Sequence, residues 1–366
     1  MLNSVLPTQQ FYNFLIPQFN KIGDISYTNH MRKILFIGGS LNQTRMMHKI
    51  SKHLQNYDCY FTPYYATSLL GALANLGLAD FSVLGGVHKK LTLEYFEKNN
   101  LMLDMKGNNN FYDLVFTCSD LIVPRNIRNK KIVLVQEGMT DPINIRYYMA
   151  KYLGLPKWIA STSTTGLSNR YDYFCVASNG YKKFFIRNGV DPNKIEVTGL
   201  PNFDNLQTHF NNNFPYKDFV LVATSDSRET FKLENRKKFI LDSKKIAGNM
   251  QLIFKLHPNE NHKRAKEEIE KYAPCSLVYT DGDINNMIAN CNTLITRFST
   301  VVYVGIILGK KVHSYFDIDK LREMSPIQNN GSSSFNIAQI GINLLEGKAN
   351  EKLPEKHFLN ILQPQN

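Results

Sequence analysis

The chain has 366 residues, 43% hydrophobic and 20% charged, which excludes wholesale disorder and, at about 150 residues per domain, fits two domains. Lys plus Arg number 43 against 31 Asp plus Glu, a net charge of +12 spread in short clusters such as Lys130-Lys131, Lys182-Lys183 and Lys244-Lys245. That pattern leaves open solvated helix faces, phosphorylated ligands or an anionic membrane surface, and lacks the long basic arm or aromatic–glycine signature of a nucleic-acid binder.

Along the chain, residues 1–30 hold the aromatic run Phe11-Tyr12-Asn13-Phe14-Leu15-Ile16 before Pro17, which reads as a short helix or docking arm. Arg32-Lys33-Ile34-Leu35-Phe36-Ile37 then reads as a buried parallel strand entering the glycine turn Gly38-Gly39-Ser40. Met46, Met47, Ile50 and Leu54 follow at helical spacing, completing the opening unit of a doubly wound sheet. Further strands are expected at 59–62, 114–117, 131–135, 173–177 and 195–198. Helices are expected at 68–76, 144–153 and 180–188, the last closed by Gly189. Residues 202–217, Asn-rich with Pro215 within, read as a linker. A second series follows, with strands at 219–223, 251–256, 276–279, 293–296 and 311–315. Its helices are expected at 235–246, 262–272, 284–290 and 300–308, with a C-terminal helix at 336–345. The fold class is therefore α/β: two Rossmann-like doubly wound lobes, 31–201 and 218–366, facing across a cleft.

The five cysteines, Cys59, Cys118, Cys175, Cys275 and Cys291, are widely spaced with no CxxC, as expected of reduced thiols and not of a zinc cluster. No run approaches the roughly 18 apolar residues of a spanning helix, and no secretory signal pattern opens the chain, so a cytoplasmic protein is expected.

Candidate chemistry gathers where strands end. Gly38-Gly39-Ser40, at a helix N-terminus, would let backbone N–H groups meet an anion, and serves equally as a tight turn without a ligand. Gln136-Glu137-Gly138-Met139-Thr140-Asp141 follows the strand ending at Val135, on the edge where open α/β sheets bind ligands. There Glu137 could act as general base with Gly138 giving room beside it, or stand as a solvated loop carboxylate; Asp141 reads as a turn residue or cap. Lys255 and His257 alternate onto one face of a strand stopped by Pro258, a cation and an imidazole suited to a diphosphate. Arg297, Ser299 and Thr300 end another strand and open an apolar helix, an arrangement that fits a phosphate and also plain capping. Ser225 and Arg228, in Ser225-Asp226-Ser227-Arg228, occupy the equivalent edge after the first strand of the second lobe. Asp281-Gly282-Asp283 and Asp317-Ile318-Asp319 have DxD form, but each precedes a helical segment, so capping accounts for them. With no His/Cys cluster, no protein-bound metal is expected.

The order of these motifs resembles the GT-B superfamily, in particular the group of UDP-N-acetylglucosamine 2-epimerases and CDP-glycerol glycerophosphotransferases. The resemblance runs from Arg32 to about Phe316. It rests on the first glycine loop, Gln136-Glu137-Gly138, Val197-Thr198-Gly199-Leu200-Pro201-Asn202-Phe203-Asp204, Lys255-Leu256-His257-Pro258 and Ile295-Thr296-Arg297-Phe298-Ser299-Thr300. It implies that the second lobe binds a nucleoside diphosphate with His257, Ser299 and Thr300 near the phosphates, and that Glu137 faces the reacting group. Two departures stand out. The epimerases' Asp-Ser-Gly-Gly and Glu-Glu pair are replaced by Arg297-Phe298-Ser299-Thr300 and Tyr303-Val304-Gly305, and the transferases' His-Gly by Glu137-Gly138.

The resulting expectation is a metal-independent glycosyltransferase-type enzyme of surface glycan synthesis. It would take a nucleotide-activated sugar or polyol phosphate as substrate, with no separate cofactor, and act on a glycan or lipid-linked acceptor at an anionic membrane surface. A nucleotide-sugar 2-epimerase and a non-catalytic nucleotide- or glycan-binding protein are the alternatives.

Overall fold

A computed structural model describes residues 31–67, 84–229 and 233–348. The described residues hold two sheets, both within the unit Lys33–Asn366. The arm expected in residues 1–30 and the helix expected at 68–76 fall outside the described residues.

The first sheet is wholly parallel. Its strands are β1 (Lys33–Gly38), β2 (Asp58–Pro63), β3 (Leu114–Thr117), β4 (Lys131–Val135), β5 (Tyr173–Val176) and β6 (Ile195–Val197), in the order β2-β1-β3-β4-β5-β6. Ile34 pairs with Cys59 on one side and Leu114 on the other. Ile34, Leu35 and Phe36 are all fully buried, as a strand covered on both faces requires. Helices α1 (Leu41–Ser51), α2 (Gly86–Lys98), α3 (Ile145–Tyr152) and α4 (Asn179–Arg187) connect its strands. The Phe36 ring stacks on Phe61 and Phe116, centroids 5.1 and 5.0 Å away, and anchors the core of this half.

The second sheet has β7 (Val220–Ala223), β8 (Leu252–Lys255), β9 (Leu277–Tyr279), β10 (Thr293–Thr296) and β11 (Lys311–His313) in the order β11-β10-β7-β8-β9, again all parallel. Its helices are α5 (Arg236–Ala247), α6 (His262–Tyr272), α7 (Ile284–Asn290), α8 (Val301–Ile307) and α9 (Ile318–Met324). Asp283 accepts from Asn285 N in the first turn of α7, and Asp317 from Asp319 N and Lys320 N in the first turn of α9, so both are helix caps.

The segment 202–217, expected as a linker, runs between the two sheets and is pinned in its first half. Short turns at Pro201–Phe203 and Leu206–Phe210 bury Phe203 and Leu206, and the Asp204 carboxylate accepts from the backbone N–H and hydroxyl of Ser333. The C-terminal helix, α10 (Ser333–Glu346), follows the second lobe in sequence but packs on the first. A Cβ at Gly341 would come within 2.5 Å of the Phe116 ring and 2.9 Å of Leu114, and Lys131 Nζ donates to Leu344 O. The buried stripe Ile337, Ile340 and Leu344 drives this return. One continuous core includes Phe36 and Phe116 from the first sheet and Leu221 and Leu294 from the second.

Candidate active site

In each sheet the parallel strands release their loops along one edge. Strand order reverses between β1 and β3 and between β7 and β10, and at such points the flanking loops diverge and leave a crevice. The second reversal is bordered by Ser225 to Arg228 on one side and Arg297 to Thr300 on the other.

Ser40 caps α1 through a capping box: its Oγ accepts from Gln43 N, and its own N–H donates to Gln43 Oε1. The same two side chains hold Glu137. Ser40 Oγ donates to Glu137 Oε1 at 2.8 Å and Gln43 Nε2 donates to Glu137 Oε2 at 2.6 Å. Each carboxylate oxygen thus keeps a lone pair for another donor. Buried Gln136 shapes the loop behind it, donating to Gly138 O and accepting from Ala177 N.

Gly138 brings this loop against the second lobe. A Cβ there would lie 2.7 Å from Thr300 Cγ2 and 2.9 Å from Thr300 Oγ1, which only a glycine avoids. Beside this contact the buried hydroxyls of Tyr181 on α4 and Tyr303 on α8 share a 2.7 Å hydrogen bond. Gly38 lies close to the Thr44 hydroxyl of α1, and Gly39 O accepts from Thr92, so the first glycine turn is packed against two helices.

At the end of β8, the backbone N–H of His257 donates to Thr224 Oγ1 and its Nδ1 accepts from Asn259 N. That acceptor role places the neutral ring's proton on Nε2. Burial pushes the His257 pKa down, with the Asp226 carboxylate 3.8 Å away acting in the opposite sense. Asn259 Nδ2 lies 3.4 Å from His88 Nε2 on α2, a polar link from one lobe to the other.

Lys255 does not share this setting. Its buried Nζ donates to Leu256 O and Thr280 O, and burial lowers its pKa against the pull of Asp281. Arg228 is likewise engaged, in a bidentate pair with Glu268 at 2.8 and 2.9 Å. Behind it lies a buried charge network in which Arg236 pairs with Glu260 and Glu234. Arg297 reaches the same network at Glu234, 3.7 Å away, and stacks over the Tyr315 ring. Ser225 and Ser227 bond each other through their hydroxyls. The α8 terminus has no side-chain cap, and Ser299 Oγ makes only a 3.5 Å contact with Val301 N, so capping does not consume the hydroxyls of Ser299 and Thr300.

Three participants were not expected from sequence: Gln43, His88 and Asn259. Gln43 is legible in retrospect, three residues after Ser40 in the spacing of a capping box. His88 and Asn259 meet only through the tertiary fold, and no local pattern marks them. Among the described residues, no group of three or more His, Cys, Asp or Glu side chains could hold a metal ion.

A family model of CDP-glycerol:poly(glycerophosphate) glycerophosphotransferases matches residues 129–318, from just before β4 to the start of α9. Among solved structures, the chain is similar to a Listeria monocytogenes protein designated a UDP-N-acetylglucosamine 2-epimerase, at 12% identity and a TM-score of 0.58, covering 88% of this chain and 98% of that one. It is also similar to the S. aureus MnaA–UDP complex, at 13% identity and a TM-score of 0.52, covering 88% and 99%. The third is the Neisseria meningitidis UDP-GlcNAc 2-epimerase bound to UDP-GlcNAc, at 11% identity and a TM-score of 0.51, covering 86% and 100%. At these identities the likeness is one of fold. Comparison with curated proteins gave no match.

Proposed function

Because the chain belongs to the CDP-glycerol:poly(glycerophosphate) glycerophosphotransferase family, we propose that it transfers a polyol phosphate from a nucleoside diphosphate donor to a hydroxyl of a growing surface polymer. The observation that carries this reading is the Glu137 loop. It offers a carboxylate fixed through both oxygens and, one residue on, meets Thr300 of the second lobe.

In the proposed reaction the acceptor hydroxyl attacks the phosphorus that bears the polyol. Its proton passes to Glu137, the new P–O bond forms, and the anhydride bond to the nucleoside monophosphate breaks. The departing phosphate gains charge as that bond opens. His257 Nε2–H and the hydroxyls of Ser299 and Thr300 are the donors nearest in kind to that need, with Arg297 adding a fixed positive charge. By its family the protein is a transferase.

Calorimetric titration with CDP-glycerol tests the donor side. Wild type should bind, and His257→Ala with Ser299→Ala should weaken binding by about 2–4 kcal/mol through loss of two hydrogen bonds to charged oxygens. A folded wild-type protein with no affinity for any nucleoside diphosphate would overturn the reading.

A further inference from the structure

The ends of the adjacent parallel strands β10 and β11 carry three aromatic rings and a guanidinium in two short loops, Arg297-Phe298 and Ser314-Tyr315-Phe316. The Ser314 hydroxyl ties these loops together, donating to Arg297 O and accepting from Phe316 N. Phe298 and Tyr315 lie nearly parallel, 16° apart with centroids separated by 5.8 Å, and the Phe316 ring meets Phe298 edge-on at 5.1 Å. The Arg297 guanidinium is 4.4 Å from the Tyr315 centroid and 5.7 Å from that of Phe298. These separations close a triangle, which neither a column of the three groups nor a guanidinium sandwiched between two rings would give. The rings therefore lie side by side, with the guanidinium against both. They also stay open, Phe298 retaining 39% of its accessible surface and Tyr315 53%.

Single exposed aromatics are ordinary on protein surfaces, but two rings brought level from different loops and buttressed by a third make a platform. Its place is informative. Phe298 stands two residues before Thr300, which meets Gly138 beside Glu137, so the platform adjoins the edge where the acceptor hydroxyl would react. Arg297 is fixed there by Tyr315 and by the Glu234 charge 3.7 Å away, its buried Nε and Nη1 making no hydrogen bond among the described residues. An open aromatic surface beside a guanidinium suits a pyranose, whose C–H face rests on the electron-rich ring faces while its hydroxyls meet polar groups at the rim. An open-chain polyol phosphate has no flat face to offer. A nucleobase is ordinarily gripped between two faces and read along its edge, which one open platform does not do.

We propose that Phe298 and Tyr315 form a subsite for a pyranose ring of the acceptor, so that the polymer extended here carries sugar rings near its reacting end. This rests on the reading that the chain transfers a group to a surface polymer, and it names the class of that acceptor. The platform holds the ring next to the hydroxyl that faces Glu137 and takes no part in proton transfer, so its readout is binding.

Saturation-transfer NMR tests this with β-linked disaccharides of glucose, galactose, N-acetylglucosamine and glucuronic acid, and with cytidine monophosphate and a glycerol phosphate oligomer as comparison probes. On irradiation of the aromatic protons of the full-length protein, at least one disaccharide should receive saturation at the C–H protons of one ring face. Phe298→Leu with Tyr315→Leu keeps apolar bulk at two exposed positions and should weaken binding of that disaccharide roughly tenfold. Either change alone should act in the same direction, whereas Tyr315→Phe keeps the ring and should bind as wild type does. The donor reading fails separately, by absence of CDP-glycerol affinity in wild type, and that result leaves the disaccharide measurement standing. Binding of none of the disaccharides would overturn the proposal. So would undiminished binding by the double variant with an unchanged circular dichroism spectrum, or a loss in that variant of cytidine monophosphate or the glycerol phosphate oligomer instead of the disaccharide.

Discussion

Ser40 and Gln43, at the N-terminus of α1, and Glu137, in the loop after β4, are distant in sequence, and their hydrogen bonds fix a carboxylate at the edge of the first sheet. His257 is the corresponding fixed group on the second, with Nδ1 occupied by Asn259 N. Its pKa lies below the ordinary 6.5 because burial disfavours the imidazolium, more than Asp226 favours it. Below pH 6.5 the unfolded chain therefore takes up a proton that folded His257 resists. Unfolding then binds protons, and stability falls as pH drops from 6.5 toward the lower folded value, levelling off beneath it. His48 and His313 are lowered in the same sense, so the informative measurement is a difference. Thermal midpoints of wild type and His257→Asn, compared from about pH 7 to about pH 5, should show the larger decline in wild type. Parallel declines would mean that His257 is no more costly to protonate in the fold than out of it.

At the scale of elements, the strands were legible because parallel strands covered on both faces read as short apolar runs. The expected strands at 114–117, 131–135 and 293–296 coincide with β3, β4 and β10. Helix α2 gave no such signal. Its apolar Leu91, Leu93, Tyr95 and Phe96 do not share one face, and its inward side is carried by buried Thr92 and Phe96. The placement of α10 was hidden for another reason: chain order says which element comes next, not which sheet an apolar stripe returns to. The candidate site was legible as loops at strand ends and not as partners, since alternation along β8 predicts a face for Lys255 but not that two carbonyls would hold it. The contact between the β4 loop and α8 gives an element-level prediction. Gly138→Ala should destabilise the protein by about 1–3 kcal/mol, because the added methyl meets Thr300 within a packed junction. Thr300→Ala in the same chain should recover most of that loss in urea unfolding. No rescue would place the strain elsewhere in the loop.

Across the whole molecule, the two sheets are joined by one core, by the Tyr181–Tyr303 hydrogen bond and by α10. Trp158 emission reports the first lobe and far-ultraviolet circular dichroism reports both, and the two should give coincident denaturation midpoints; separate transitions would show that the lobes fold independently. Two joined lobes matter because the proposed reaction needs an acceptor activated on one and a donor phosphate held on the other. The most direct test is turnover of CDP-glycerol by wild type and Glu137→Gln side by side, with release of CMP and acceptor-bound glycerol phosphate both followed. The substitution keeps the side chain's shape and removes the base, so transfer should slow by about a hundredfold or more with donor affinity nearly unchanged. Near-wild-type transfer by Glu137→Gln would contradict the account and leave Glu137 a structural residue of its loop.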